Sequence, residues 1–264
     1  MISKFPNAGQ SWKLLLGLIL LTFSFLAPYL TYRIVDSLPA WPTPTDSFVF
    51  YTSKILAQIF LLLFALRKLK KLEDFKLTNE LRLNLRKSWI YAIVCGVGLI
   101  FLLEPIEQLI PSGNVLQIHF GNLSSLKSVS FVYVVLLSPI LNELIFRGII
   151  LRGLLQNYKP FSALLLSSAL FAVYHVTLLQ VFMAFLLGIF FGFVYWQTRS
   201  VGLVILLHML NNGLVFVTLT FTGQLGTFEQ MIANTPLYLL LYFISAILVS
   251  ISLLQLYKLH EAGN

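Results

Sequence analysis

Asn142-Glu143-Leu-Ile-Phe-Arg147 lies inside a long apolar stretch, and Phe171-Ala-Val-Tyr-His175 and His208-Met-Leu-Asn211-Asn212 lie inside two others. An ionisable group at the centre of a bilayer costs roughly 2.5–3.5 kcal/mol even on lenient insertion scales. A glutamate, an arginine and two histidines in separate apolar segments therefore point to one shared polar site. On a helix Glu143 and Arg147, four apart, share a face, so carboxylate and guanidinium can pair inside a bundle. That spacing suits a structural clamp as well as an acid–base group. His208 and Asn212 repeat it and can present donors to one point, as an oxyanion site requires. Phe171 and His175 repeat it again. An acid–base group, a histidine and two donors around a dry pocket are the parts of a water-activating hydrolase. Each piece also has a plainer reading: His175 and His208 as bridges between helices, Asn212 as interhelical glue, Phe171 as core packing, and Gly188-x-x-x-Gly192 as a close helix contact.

The elements that must position these groups are membrane helices. The 264 residues are 58% hydrophobic and 11% charged, with a mean hydropathy of +0.86, whereas a soluble domain carries about 25% charged residues. The apolar runs are continuous rather than alternating, which excludes a β-barrel and leaves an all-α, polytopic membrane bundle. At about 20 residues per span there is room for about eight transmembrane helices. They read as Leu14–Tyr32, Phe48–Leu66, Trp89–Ile106, Val129–Leu155, Ser162–Leu179, Val181–Thr198, Val201–Phe221 and Leu237–Tyr257. Gln180 and its neighbours alone separate the fifth from the sixth, so a tight turn or a re-entrant pair fits there. The first span is long and lacks a small-residue cleavage site, which reads as a retained helix rather than a signal peptide. Three blocks follow: residues 1–128 with the first helices and a basic connection, 129–221 with the motifs, and 222–264 with a last helix.

Charge orients the bundle. Between the second and third spans stand Arg67, Lys68, Lys70, Lys71, Lys76, Arg82, Arg86 and Lys87 against Glu73, Asp74 and Glu80, the pattern of a cytoplasmic loop. Lys4, Lys13, Arg147, Arg152, Lys159, Arg199 and Lys258 fall on the same side. Asp36, Asp46, Glu104, Glu107 and Glu229 fall opposite, with Arg33 and Lys127 as exceptions. Both termini are expected in the cytoplasm, of a plasma membrane if the host is a prokaryote. The net charge of +8 sits beside the spans, where topology and anionic lipid explain it without a nucleic-acid partner. Leu77, Leu81 and Leu85 recur at helical spacing within the basic loop, which suits an interfacial helix or a solvated linker equally. Asn122-Leu-Ser124 is a glycosylation triplet in an external loop, a pattern common by chance. Cys95 is the sole cysteine, so there is no intrachain disulfide, and no HExxH or paired cysteines give a metal-ligand spacing.

The ordered set Pro139-Ile-Leu-Asn142-Glu143-Leu-Ile-Phe-Arg147-Gly148, Phe171-x-x-x-His175, Phe185-x-x-Gly188-x-x-x-Gly192 and His208-x-x-x-Asn212 resembles the CAAX prenyl endopeptidase and bacteriocin-processing family of intramembrane glutamic proteases. The resemblance covers roughly residues 129–214. It implies peptide-bond hydrolysis without metal or other cofactor. In that family the first glutamate of a Glu-Glu-x-x-x-Arg motif, helped by the histidine of Phe-x-x-x-His, activates water, and the last histidine and asparagine support the oxyanion. On this chain the resemblance gives those later roles to His175, His208 and Asn212, with Glu143 and Arg147 as second acid and partner. Asn142 stands where the family has its first glutamate, and a carboxamide cannot take a proton from water. Neighbouring helical residues point about 100° apart, so Glu143 does not simply fill that place.

The expectation is an intramembrane endopeptidase acting on a membrane-associated peptide or a lipidated C-terminal tail, with its activity compromised at Asn142. Two other readings remain: a non-catalytic relative that binds a membrane partner, and a proton-coupled transporter, since intramembrane Glu and His also build relays. Oligomeric state is not encoded in any of these features.

Overall fold

The computed structural model describes residues 4–35, 44–72, 77–81, 88–110, 131–175, 177–222, 228 and 232–261. Lys76, Arg82, Leu85, Arg86, Lys87, Asn122 and Lys127 lie outside the described residues, as do Glu73, Asp74, Asp36 and Glu229. The described chain is helical throughout, with no strand among these residues. Its helices are α1 (Ala8–Val35), α2 (Pro44–Leu72), the four-residue α3 (Leu77–Glu80), α4 (Ser88–Leu109), α5 (Val132–Asn157), α6 (Pro160–Val173), α7 (Leu178–Thr198), α8 (Val201–Thr222) and α9 (Thr235–Glu261). Seven of them are long and apolar enough to cross a membrane, which makes a multi-pass integral membrane protein.

The difference from the expected eight lies at α6. At 14 residues it is about 21 Å long, short of the roughly 30 Å hydrocarbon core. Its last turn is closed by the His175 amide on the Ala172 carbonyl. Thr177 then adopts an extended conformation and caps α7, its hydroxyl accepting from the Gln180 amide at 3.1 Å. The boundary therefore falls at residues 174–177, before Gln180, because a hydroxyl at the N-cap satisfies one of the orphan amides of the next helix.

α5 is the axis of the bundle: 72% of its most apolar window is buried, against 22% for α1, α4 and α9. Two π-helical stretches, Val132–Leu137 and Leu144–Leu151, flank an α-helical turn at Ser138–Glu143. Wider turns of this kind re-aim side chains and recur at functional sites. α6 and α7 form a close antiparallel hairpin around a glycine stripe. A Cβ at Gly188 would sit 3.1 Å from Ser168 Cβ and 3.3 Å from its Cα, and one at Gly192 would sit 2.9 Å from a Leu164 methyl. The stripe is a helix contact.

α9 packs antiparallel on α4, with Val249 and Ser245 against Gly98 and the Tyr238 hydroxyl donating to Glu104. At the opposite end, residues 4–8 are strapped to the end of α5. The Lys4 amide donates to Asn157 Oδ1, Asn157 Nδ2 donates back to the Lys4 carbonyl, and the Lys68 ammonium covers the Phe5 ring. α3 docks at the same end, where Glu80 accepts from Tyr195 and pairs with Arg152.

Candidate active site

Within α5, consecutive residues lead to two different environments. Glu143 is wholly buried. Its carboxylate meets Arg147 Nη1 at 3.0 and 2.9 Å and accepts from His208 Nδ1 at 2.7 Å. Arg147 is also fully buried; its Nη2 donates to the Gly188 carbonyl at 3.1 Å and its guanidinium stacks 4.6 Å from the centre of the Phe171 ring. The missing side chain at Gly188 faces Ser168 of α6, so the same residue that offers its carbonyl to Arg147 also sits at the close α6–α7 contact. One carboxylate thus ties α5 to α8 directly and to α6 and α7 through the guanidinium. Charges removed from water are tolerated when they are paired and hydrogen-bonded in this way.

Asn142 faces elsewhere. Its Oδ1 accepts from Gln58 Nε2 of α2 at 2.7 Å and its Nδ2 donates to Ser138 Oγ at 3.2 Å. It lines a cavity of about 210 Å³, in which Phe171, His175, His208 and Asn212 also have walls. Five of the seven residues singled out in the sequence therefore share one space. Glu143 and Arg147 are not among its lining residues; they form the wall behind it.

The histidines are held in defined tautomers. His175 lies beyond the end of α6 rather than on a helical face, and its Nδ1 is 2.9 Å from the Phe171 carbonyl. A carbonyl only accepts, so Nδ1 carries the proton and Nε2 keeps its lone pair in the neutral ring. The same contact gives a terminal carbonyl of α6 a donor. Against the Glu143 carboxylate, Nδ1 of His208 likewise holds a proton. Its Nε2, on the cavity side, accepts in the neutral ring and donates in the imidazolium. Phe171 and Phe191 pack on this imidazole with ring centres 5.9 and 5.3 Å away.

Asn212 Nδ2 donates to the Val134 carbonyl of α5 at 2.9 Å, and its Oδ1 accepts from Asn211 Nδ2 at 3.2 Å. It ties two helices together while lining the cavity. Sequence reasoning passed over Lys54, Gln58, Ser138 and Tyr174, and gave Asn211 no role of its own. Lys54 and Gln58 carried a usable signal, a cation and a carboxamide one turn apart in an apolar span. Among the described residues no group of three or more His, Cys, Asp or Glu converges as a metal site.

Residues 124–214 match the family model Type II CAAX prenyl endopeptidase Rce1-like, the stretch that carries all the motifs. In a Bacillus subtilis (strain 168) protein named "Putative membrane peptidase YdiL", 82 residues are 33% identical to this chain. That match takes in 31% of this chain and 34% of the relative, so the chain spans about a third of the length of the curated relative it matches. No solved structure matches the chain.

Proposed function

We propose that this chain is an intramembrane endopeptidase of the CAAX type, built to hold a peptide or lipidated C-terminal tail in the cavity between α2, α5, α7 and α8. The carrying observation is that Asn142, His175, His208 and Asn212, from two helices and a connection, line one cavity within the segment that matches a prenyl endopeptidase model. Residues 129–221 are its catalytic core, with 1–128 and 222–264 as flanking helices. Both termini face the cytoplasm. The strap of residues 4–8 onto α5 and Lys68 supports this, since it sits at the same end of the bundle as Lys70 and Lys71.

The reaction needs a base to take one proton from water as its oxygen attacks the peptide carbonyl. It also needs donors for the resulting oxyanion and a proton for the departing amine as the C–N bond breaks. The His208 ring, in the protonation state that donates from Nε2, and the second N–H of Asn212 supply donors. His175, with its Nε2 lone pair, assists proton transfer. The missing part is a carboxylate at position 142. Gln58 Nε2 and the Ser138 hydroxyl can both donate to one there, so the pocket accommodates the acid as well as the amide. Glu143 does not substitute, because it is committed to Arg147 and His208 behind the cavity wall.

The same geometry favours a second reading, a binding protein without turnover, because the Asn142 carboxamide has both its donor and its acceptor engaged. A cleavage assay on a farnesylated C-terminal peptide separates the two. Asn142→Glu should raise turnover about 10² to 10⁴-fold, the usual contribution of a positioned general base, and Asn142→Glu/His175→Ala should lose most of that gain. Silence of the Asn142→Glu chain, folded and binding the peptide, would leave the binding reading in possession.

A further inference from the structure

Lys54 is a cation inside a membrane span, and its side chain lines the same cavity. Its ammonium lies 4.5 Å from the centre of the Tyr174 ring and 5.6 Å from that of Phe50. Among the described residues it forms no ion pair, and the cavity lining contains neither Asp nor Glu. The Glu143 and Arg147 charges, by contrast, are matched with each other. Aromatic faces hold a cation weakly by comparison with a carboxylate, so an ammonium left on rings beside a cavity is poised for an anion. Tyr133 and Tyr174 line the same wall, and their hydroxyls, which have the Ser138 and Thr22 side chains beside them, can turn their protons to the same anion.

Resting on the endopeptidase reading above, we propose that Lys54, with Tyr133 and Tyr174, forms a subsite for the free terminal carboxylate of the peptide. Register supports a carboxylate. Lys54 is one turn before Gln58 on α2, and Gln58 holds Asn142, so the backbone of Lys54 is displaced about 6 Å along the helix from the point where chemistry is expected. Helical side chains lean towards the N-terminus, which carries the ammonium further from Asn142. An extended peptide advances about 3.3 Å per residue. The backbone offset of about 6 Å, lengthened by the side chain, corresponds to about two or more residues of extended peptide, a separation compatible with the short tail beyond the cleaved bond of a C-terminal Cys-a-a-X sequence. Lys54 would act as a ruler that reads both the negative end and its distance.

The test is equilibrium binding of fluorescent farnesylated tetrapeptides in lipid nanodiscs, free acid against C-terminal amide, to the full chain and to Lys54→Gln and Lys54→Arg. The unchanged chain should bind the acid at least about tenfold more tightly than the amide, the scale of a charge-assisted hydrogen bond. Lys54→Gln should weaken the acid to the level of the amide and leave the amide unchanged, and Lys54→Arg should retain most of the preference. Equal binding of acid and amide to the unchanged chain, or a preference that survives in Lys54→Gln, overturns the carboxylate subsite and leaves the endopeptidase reading standing. Failure of both peptides to bind contradicts that reading as well. A Lys54-dependent gain seen with farnesyl phosphate and absent with the free-acid peptide would make the anion a lipid phosphate and overturn the proposal.

Discussion

The Glu143 cluster and the cavity in front of it share the helix α5 and differ in one respect. Behind the wall, glutamate, arginine and histidine meet within 3.0 Å. In front of it stand a lysine without an acid, three asparagines and His175 around open space, with His208 touching both sides. The closed cluster has the chemical look of a catalytic acid with its partners, yet its geometry is that of a clamp across four helices. The open face holds the group that looks least catalytic, an asparagine. In a low-dielectric interior, neutralisation and reactivity compete for the same carboxylate, and the Glu143 carboxylate is engaged by an arginine and a histidine at once.

The comparison can be broken most severely through the guanidinium. Arg147→Ala leaves Glu143 as an uncompensated charge and removes the donor to Gly188, so stability in detergent should fall by about 3–5 kcal/mol. Glu143→Gln/Arg147→Met, which removes both charges, should recover much of that loss. A smaller loss for Arg147→Ala than for His208→Ala, measured by thermal unfolding, would show that the cluster is not the clamp.

Next in size is the helix contact that brings the Gly188 carbonyl to Arg147. Gly188→Val must displace the backbone of α6 at Ser168, and overpacking of that kind costs about 1–3 kcal/mol. Gly192→Ala, which meets only the methyl ends of Leu164 and Leu151, should cost less. Equal losses would mean that the hairpin adjusts freely and that the glycines do not set its spacing.

The smallest effect belongs to the ion pair at the cytoplasmic end proposed above. Glu80 and Arg152 lie 3.3 Å apart with side chains still 15–18% exposed. Glu80→Gln should lower stability by about 1 kcal/mol or less, because water screens such pairs. A loss as large as that of Arg147→Ala would erase the distinction between buried and rim charge.

Much of this arrangement is legible in residue types alone. Ionisable groups in hydrocarbon mark Glu143, Arg147, His175 and His208, and the four-residue spacing predicts the Glu143–Arg147 pair that forms. The bond from Glu143 to His208 is not legible, since it joins residues 65 apart through helix packing that no local pattern encodes. Nor is the π-helical winding of α5, which has no residue signature in Leu144–Leu151. The end of α6 was legible in part: Thr177-Leu-Leu-Gln180 has the form of a helix start, yet the unbroken apolar run hides it and carries a helix reading past His175. Lys54 was accessible to the same reasoning as Glu143, but a lone lysine early in a span passes for one near the interface that reaches back to water.

The division between open and closed faces of α5 is tested most directly by cysteine accessibility in a chain freed of its buried native thiol by Cys95→Ala. Asn142→Cys should react with a small, water-soluble thiol reagent in the folded protein and be protected by a farnesylated peptide. Glu143→Cys, made with Arg147→Met so that no charge is stranded, should stay unlabelled until the protein is unfolded. Labelling of both positions at similar rates in the folded state, or of Cys at 143 alone, would contradict the account.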